Sequence, residues 1–180
     1  MKNSLSLEDI YNLAYNTLTK GGSCSEQAEA VAETISRAEQ DGSVSHGLFR
    51  LPGYFNSLKS GKVNLNPNPS LHKVSKAVLK CNGDRSFAPL IHKLYLNELI
   101  QSTKEIGIGI LSVQRVAHFA SLWPETETLA DSGLIGIACT SYLPVVSPFG
   151  ASEKLFGTNP ISFAWPRKNE HPVVFDMATS

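Results

Sequence analysis

Apolar residues recur every three to four positions through the N-terminal part of the chain, which is the spacing of one face of a helix. The first such segment begins with a Ser-x-x-Asp pattern at Ser6, typical of a capped helix start, and stops at the Gly21–Gly22 pair. The second begins with a Ser-x-x-Glu capping box at Ser23 and continues to Asp41–Gly42. The pattern therefore predicts two capped helices in succession.

A mixture of helical and strand patterns follows from residue 73 onward. The strand patterns cover 74–79, 106–113, 134–140, 161–165 and 173–175, and the helical patterns cover 87–105 and 119–131. Asn82–Gly83 is typical of a turn, and 145–160 has the Gly and Pro content of a long loop. Helices alone, followed by helices and strands together, predict an α+β chain in which a helical portion, residues 1–70, packs on residues 71–180.

The segment before Tyr54 carries the most informative side chains. A third helix is predicted from His46 to Lys59, although Pro52 should kink it or delay its start. On such a helix His46, Arg50 and Tyr54 would share one side. An imidazole transfers protons near neutral pH and a guanidinium holds a carboxylate through two hydrogen bonds, so these are parts of a site for a small carboxylic acid. Spacing alone favours a plainer interpretation, in which His46 caps a helix and the other two side chains lie on the surface.

The charge balance excludes several classes of partner. Among 180 residues, 16 Lys and Arg balance 16 Asp and Glu without a basic run, so neither nucleic acid nor an anionic membrane surface is expected as the main partner.

Three distant cysteines without a Cys-x-x-Cys pair predict reduced thiols. The N-terminus lacks a signal-peptide core, and Gly and Pro interrupt the uncharged stretch 132–152, so a cytoplasmic protein without a membrane span is expected.

The motifs do not support three common kinds of active site. Ser45 and His46 are adjacent, so their side chains diverge, and the sequence has no Gly-x-Ser-x-Gly elbow of a serine hydrolase. The five histidines never fall at a ligand spacing such as His-Glu-x-x-His, so no metal is expected. The sequence contains neither a Gly-x-Gly-x-x-Gly motif nor a P-loop, which leaves a Rossmann nucleotide site without support.

Two further segments could meet a ligand. The segment from His118 to Trp123 follows a predicted strand and opens a predicted helix, where free N–H groups can bind phosphate, although its apolar residues can equally be core packing. Gly157 to Pro160 is a turn pattern that could line a site or only reverse the chain.

Taken in order, these segments resemble the malate/L-lactate dehydrogenase-like oxidoreductases, a family unrelated in fold to the Rossmann lactate dehydrogenases. The residues that carry the resemblance are Asp41-Gly42, Ser45-His46-Gly47, Arg50, His118-Phe119, Gly133 to Gly136, Leu155 to Pro160 and Asp176 to Ser180. They span almost the whole chain, and their order is more specific than any one of them. His118 to Pro124 is most similar to the branch that reduces Δ1-piperideine-2-carboxylate and Δ1-pyrroline-2-carboxylate.

The resemblance implies a homodimeric enzyme that uses NADP or NAD and has a non-Rossmann nucleotide fold. Its helical portion would pack on a mixed, mostly antiparallel sheet with flanking helices. Residues 1–70 would then carry the substrate site and residues 71–180 would bind the cofactor. The implied cofactor contacts are His118, Phe119, Ala120, Ser121, Leu122, Asp176, Met177 and Ala178.

The catalytic roles also follow from the resemblance. His46 is implied as the proton donor, with Ser45 as its hydrogen-bonding neighbour. Arg50 is implied as the clamp on the substrate carboxylate, and Thr158 as a residue that faces the substrate. In some branches the histidine that matches His118 is the acid–base group instead, so the two histidines compete for this role.

The resemblance also implies a longer polypeptide. A carboxylate normally fixes the tautomer of a catalytic histidine, and in the family this aspartate lies beyond the position of Ser180, so the chain is expected to be an N-terminal portion. Two hypotheses remain. One is an NAD(P)H-dependent oxidoreductase acting on a cyclic imine carboxylate, or on a 2-hydroxy acid of malate, lactate or ureidoglycolate type. The other is a truncated, non-catalytic chain that binds a ligand or a partner.

Overall fold

The computed structural model describes residues 5–117 and 120–178, and the chain forms two compact units, Met1–Ala120 and Ser121–Ser180. The first unit contains α1 (Leu7–Lys20), α2 (Ser25–Gln40), 3-10 turns at Val44–His46 and Leu48–Arg50, α3 (Leu51–Lys59), β1 (Ser70–Lys73), β2 (Val78–Phe87), α4 (Ala88–Ile106) and β3 (Ile110–Ala117). The second contains α5 (Trp123–Asp131), β4 (Gly136–Cys139), β5 (Ile161–Arg167) and β6 (Glu170–Met177). The predicted α+β class is confirmed, and the functional division at residue 70 stays a prediction. Across the two described ranges, none of the helices has the length and apolar character needed to cross a membrane.

The first two helices begin differently. At α1 the Ser6 hydroxyl accepts the Asp9 N–H and the Asp9 carboxylate accepts the Ser6 N–H, both at 3.1 Å, so the predicted capping pattern is confirmed. The capping box predicted at Ser23 is wrong, because α2 follows Cys24, which makes no side-chain cap. The Ser23 hydroxyl instead accepts the side-chain N–H of Gln27 at 3.2 Å.

Gln27 joins three segments of the core that lies between α1, α2 and α3. Its side chain is fully buried, accepts the Phe87 N–H at 2.8 Å through Oε1 and donates to the Asn64 carbonyl at 3.1 Å through Nε2. Phe87 packs edge-on against Tyr54, with ring centroids 4.8 Å apart and planes at 85°. A buried amide with all these partners is favourable, and it fixes the start of α4 against α2 and α3.

The sheet of the first unit has the order β1-β2-β3, with β1–β2 antiparallel and β2–β3 parallel across the α4 connection. The turn predicted at Asn82–Gly83 is wrong, since β2 continues through these residues with a bulge before Ser86. A Cβ on Gly83 would lie 2.1 Å from Val116 Cγ1, so glycine is required here by the neighbouring strand. The chain reverses earlier, between β1 and β2, where the Ser75 hydroxyl accepts the Val78 N–H at 3.2 Å.

The sheet of the second unit is antiparallel, in the order β4-β5-β6, and α5 covers one of its faces. Thr126 of α5 exchanges a hydrogen bond with Ser162 at 2.8 Å, and a Cβ on Gly136 would lie 2.7 Å from the Thr126 carbonyl oxygen. On the opposite face Phe163 lies in register with Ile137 and stacks on Phe175, with ring centroids 5.5 Å apart. The close approach of α5 therefore depends on small side chains on one face, while the other face is apolar.

Candidate functional site

The histidine loop, residues 43–50, connects α2 to α3. Gly47, with φ −85° and ψ −138°, separates the 3-10 turns Val44–His46 and Leu48–Arg50, and α3 begins only at Leu51. The prediction of one helix from His46 onward is therefore wrong, because the backbone leaves the helical region at Gly47. Tyr54 is 1% exposed and belongs to the core, so the predicted His-Arg-Tyr face does not form.

Two serine hydroxyls approach the Nδ1 atom of His46. Ser45 Oγ lies 3.0 Å from Nδ1 and Ser43 Oγ lies 3.3 Å from it. A hydroxyl donates to an unprotonated Nδ1 and accepts from a protonated one, so the imidazole keeps a partner at this atom in both charge states. Nε2 is then the ring atom suited to exchange a proton with a ligand.

Arg50 is held by the same loop. Its Nε–H donates to the Ser45 carbonyl at 2.8 Å, which ties the end of the loop to the residue before His46. Within the described part of the chain, no hydrogen bond or ion pair engages its two Nη groups. A half-buried guanidinium with this fork can bind a carboxylate through two parallel hydrogen bonds.

Thr158 lies in a turn of the second unit whose shape is fixed by its neighbours. The Asn159 side-chain oxygen accepts the Tyr142 N–H at 3.0 Å. A Cβ on Gly157 would lie 2.2 Å from the Tyr142 carbonyl oxygen, so no larger residue fits there. The two ends of the long 142–157 loop thus meet at this turn, and Thr158 is presented half-buried from it.

Asp176 of β6 holds the start of α5. Its Oδ2 atom accepts the N–H of Leu122 at 2.6 Å and the N–H of Trp123 at 2.9 Å. These N–H groups belong to the helix N-terminus that the sequence suggested as a phosphate site. The carboxylate takes two of its donors, so Leu122 and Asp176 are joined to each other, and their contact with a cofactor stays a prediction.

Asp176→Ala is expected to lower the free energy of unfolding by about 2 kcal/mol, because two partly buried N–H groups lose a charged acceptor. Asp176→Asn, which keeps an acceptor oxygen, should lose less. Urea unfolding measures both, and amide exchange at Leu122 and Trp123 reports the local opening. Asp131→Ala, at the other and exposed end of α5, is the matched control, and an equal loss there would contradict the assignment.

Ser121 carries the second observation at this helix start. The residue is 5% exposed, and its hydroxyl has no hydrogen-bond partner in the described part of the chain. A buried hydroxyl without a partner is uncommon in folded proteins and is satisfied when a ligand supplies one. Among the other predicted cofactor contacts, Ala120 is half-buried, Met177 and Ala178 are exposed at the end of β6, and His118 and Phe119 lie outside the described residues.

Five of the predicted site residues therefore form two local groups. Ser45, His46 and Arg50 share the histidine loop of the first unit, and Leu122 is bonded to Asp176 in the second. Sequence reasoning missed Ser43, whose signal is a hydroxyl three residues before His46. It also missed Glu39, which accepts the Leu48 N–H and leaves no local signal in the sequence.

Comparison with known proteins gives one consistent family. Residues 5–180 match the malate/L-lactate dehydrogenase family. A Δ1-pyrroline-2-carboxylate reductase from Burkholderia ambifaria is 40% identical over 176 residues, covering 98% of this chain and 52% of the relative. The crystal structure of Δ1-piperideine-2-carboxylate reductase from Pseudomonas syringae superimposes with a TM-score of 0.94 at 36% identity, over 99% of this chain and 54% of that one. The malate dehydrogenase from Pyrococcus horikoshii gives a TM-score of 0.91 at 31% identity, over 99% and 51%. The chain thus spans about half the length of the relatives it matches.

Proposed function

The chain belongs to the malate/L-lactate dehydrogenase family, and from this premise we propose that it provides the substrate site of an NAD(P)H-dependent reductase for a small cyclic imine carboxylate. The substrates proposed are Δ1-pyrroline-2-carboxylate and Δ1-piperideine-2-carboxylate, the compounds in the names of the reductases it is similar to. The observation that carries the proposal is that one short loop holds both a histidine and an arginine through its own atoms.

Arg50 would bind the substrate carboxylate. Its Nε is committed to the Ser45 carbonyl, so the guanidinium plane is fixed and the Nη fork faces a ligand with little loss of side-chain freedom. A carboxylate bound in this way places the adjacent C=N bond at a defined distance from the loop that carries His46. Thr158, in the second unit, is proposed as a further residue facing the substrate.

His46 would deliver the proton that the reduction needs. A bound nicotinamide cofactor supplies a hydride to the imine carbon, and the imine nitrogen takes up a proton in the same overall step. The imidazolium can give this proton from Nε2 while Nδ1 keeps its own proton and donates it to the Ser45 or Ser43 hydroxyl, so the neutral ring stays hydrogen-bonded as it forms. His118 remains the competing candidate for this role.

The residues proposed for the cofactor fit it unequally. The buried hydroxyl of Ser121, which has no partner among the described residues, can hydrogen-bond a polar group of the dinucleotide. Leu122 and Asp176 already satisfy each other, so their proposed contribution is to shape the turn that presents Ser121. The proposal also includes NADP or NAD as the cofactor and a homodimer as the assembly.

A second candidate function is a 2-hydroxy acid dehydrogenase. The likeness to the Pyrococcus horikoshii malate dehydrogenase favours it, and a carboxylate clamp with a proton donor serves a C=O bond as well as a C=N bond. The third candidate is a chain that binds a carboxylate without reducing its substrate, which needs only the Nη fork of Arg50.

The purified chain is expected to oxidise NADPH or NADH, followed by absorbance, when Δ1-piperideine-2-carboxylate or Δ1-pyrroline-2-carboxylate is added. Pyruvate and oxaloacetate with each cofactor are the parallel reactions. Turnover with the imines alone supports the proposal, and turnover with the oxo acids alone supports the second candidate. No turnover in any reaction, combined with calorimetric binding of pyrrole-2-carboxylate, would identify a chain that binds but does not catalyse.

A further inference from the structure

Glu39 lies in the last turn of α2 and contacts the backbone of the histidine loop. Its Oε1 atom accepts the N–H of Leu48 at 2.7 Å. Leu48 is two residues after His46 and two before Arg50. A hydrogen bond from an amide to a carboxylate is shorter and about twice as strong as one between neutral groups, so the middle of the loop is fixed to the helix.

Gly47 shows how closely the Glu39 carboxylate approaches the backbone of the histidine loop. A Cβ at this position would lie 2.1 Å from Glu39 Oε1 and 2.5 Å from Glu39 Cδ. The φ of Gly47 is negative, −85°, so its handedness does not call for glycine. The carboxylate itself occupies the space that a side chain on Gly47 would need, at the residue that directly follows His46.

The supports on either side of this contact are rigid. Ile35 and Ala38 of α2 are buried in the core, so the helix that carries Glu39 is fixed. The Leu48 side chain packs against the same core cluster, and Arg50 closes the loop on the Ser45 carbonyl. Glu39 therefore adds a side-chain contact at the middle of the histidine loop to the backbone bond that the Ser43 N–H donates to the Ala38 carbonyl at the start of the loop.

We propose that Glu39 is a positioning residue, which sets the separation and orientation of His46 and Arg50 through the Leu48 N–H. This rests on the proposed function for the meaning of that separation. The contacts of Nδ1 are the serine hydroxyls, so Glu39 acts through the backbone. The loop requires first that Glu39 reach the Leu48 N–H, and the charge of the carboxylate adds strength to that one hydrogen bond.

Substitutions at Glu39 separate reach from charge. Glu39→Gln keeps an acceptor oxygen at the same reach, whereas Glu39→Asp keeps the charge on a side chain one methylene shorter. Misplacing a reacting group by about 1 Å costs on the order of 100-fold in rate. We expect kcat/KM for the cyclic imine to fall about 30-fold or more in Glu39→Asp and Glu39→Ala, and less than about fivefold in Glu39→Gln. Gln40→Ala, the exposed neighbour on α2, is the matched control and should not change it.

Gly47→Ala tests the same contact from the other side. The added methyl group displaces the carboxylate, so this variant should lose about as much activity as Glu39→Ala. The double variant Glu39→Ala/Gly47→Ala should be no worse than either single one, because both changes remove one interaction. Additive losses, or a Glu39→Asp protein more active than Glu39→Gln, would overturn the proposal.

Amide exchange at Leu48, measured by NMR, gives a readout that does not require turnover. Exchange should accelerate in Glu39→Ala, Glu39→Asp and Gly47→Ala and stay slow in Glu39→Gln. The pH dependence of kcat should keep its midpoint in Glu39→Gln, and a shifted midpoint would show a charge effect on the imidazole instead. No turnover by the unmodified chain, with these exchange differences present, would refute the proposed function. Normal kinetics in Glu39→Ala would refute the positioning role alone.

Discussion

His46→Ala is expected to reduce kcat for the cyclic imine by about 10²- to 10⁴-fold, the range that a positioned acid contributes. Hydride transfer to the imine carbon leaves electron density on nitrogen, and without a proton source this negative charge must be solvated by water alone. The cofactor dissociation constant should stay within about twofold, because the proposed cofactor contacts, such as Ser121, lie outside the histidine loop. Fluorescence titration with NADPH measures the affinity, and stopped-flow absorbance measures the rate.

Two comparisons make the His46 result specific. His72→Ala removes an exposed histidine of β1 and should leave both quantities unchanged. Ser45→Ala should produce an intermediate loss, since Ser43 still reaches Nδ1 at 3.3 Å. A His46→Ala protein with normal kcat would transfer the acid role to His118, and loss of cofactor binding would show that His46 contacts the nucleotide.

The start and the end of α1 were predictable because their signals are local. Ser6 and Asp9 cap α1 within one turn, and Gly21 ends it, so a few adjacent residues decide the element. The capping box predicted at Ser23 was wrong for a long-range reason. The Ser23 hydroxyl binds Gln27, and the other hydrogen bonds of Gln27 reach Asn64 and Phe87. A buried amide that links distant segments competes with local capping, and no window of sequence contains it.

The strand boundaries show the same dependence on partners. Asn82–Gly83 has the composition of a turn, yet β2 runs through it because β3 supplies hydrogen bonds on its far side. The predicted strand at 74–79 is partly wrong for this reason: 74–77 form the reversal between β1 and β2. The neighbouring strand decides whether a glycine lies in a turn or in a β-bulge, and the sequence alone does not identify that neighbour.

The candidate site also contains some contacts between residues that are near in sequence and others between residues that are distant. Ser45, His46 and Arg50 are near in sequence, so one short motif predicts that they share a loop, although not its shape. The bond between Leu122 and Asp176 spans 54 residues, and the sequence indicated each of them only as a cofactor contact. Positioning contacts of this kind have weak local signals because they depend on how elements meet.

Arg50→Ala is expected to raise KM for the cyclic imine carboxylate by about 10- to 100-fold while kcat falls less. A charged hydrogen bond contributes about 1.5–3 kcal/mol, and each 1.4 kcal/mol corresponds to about tenfold in affinity. A clamp on a group that does not react contributes alike to the bound substrate and to the transition state, so its loss falls mainly on KM. Steady-state kinetics over a wide substrate range separates the two constants.

Arg50→Lys and a substrate without the carboxylate complete the test. Lysine keeps the charge, but its ammonium group lacks the planar fork in which Nε binds the Ser45 carbonyl while both Nη groups face a carboxylate, so its KM should lie between those of the unmodified protein and the alanine variant. With Δ1-pyrroline, which has no carboxylate, the unmodified and Arg50→Ala proteins should react at equal rates. An unchanged KM in Arg50→Ala would place the clamp on another residue. Equal losses for both substrates would mean that Arg50 supports the loop through Ser45 and does not bind the carboxylate.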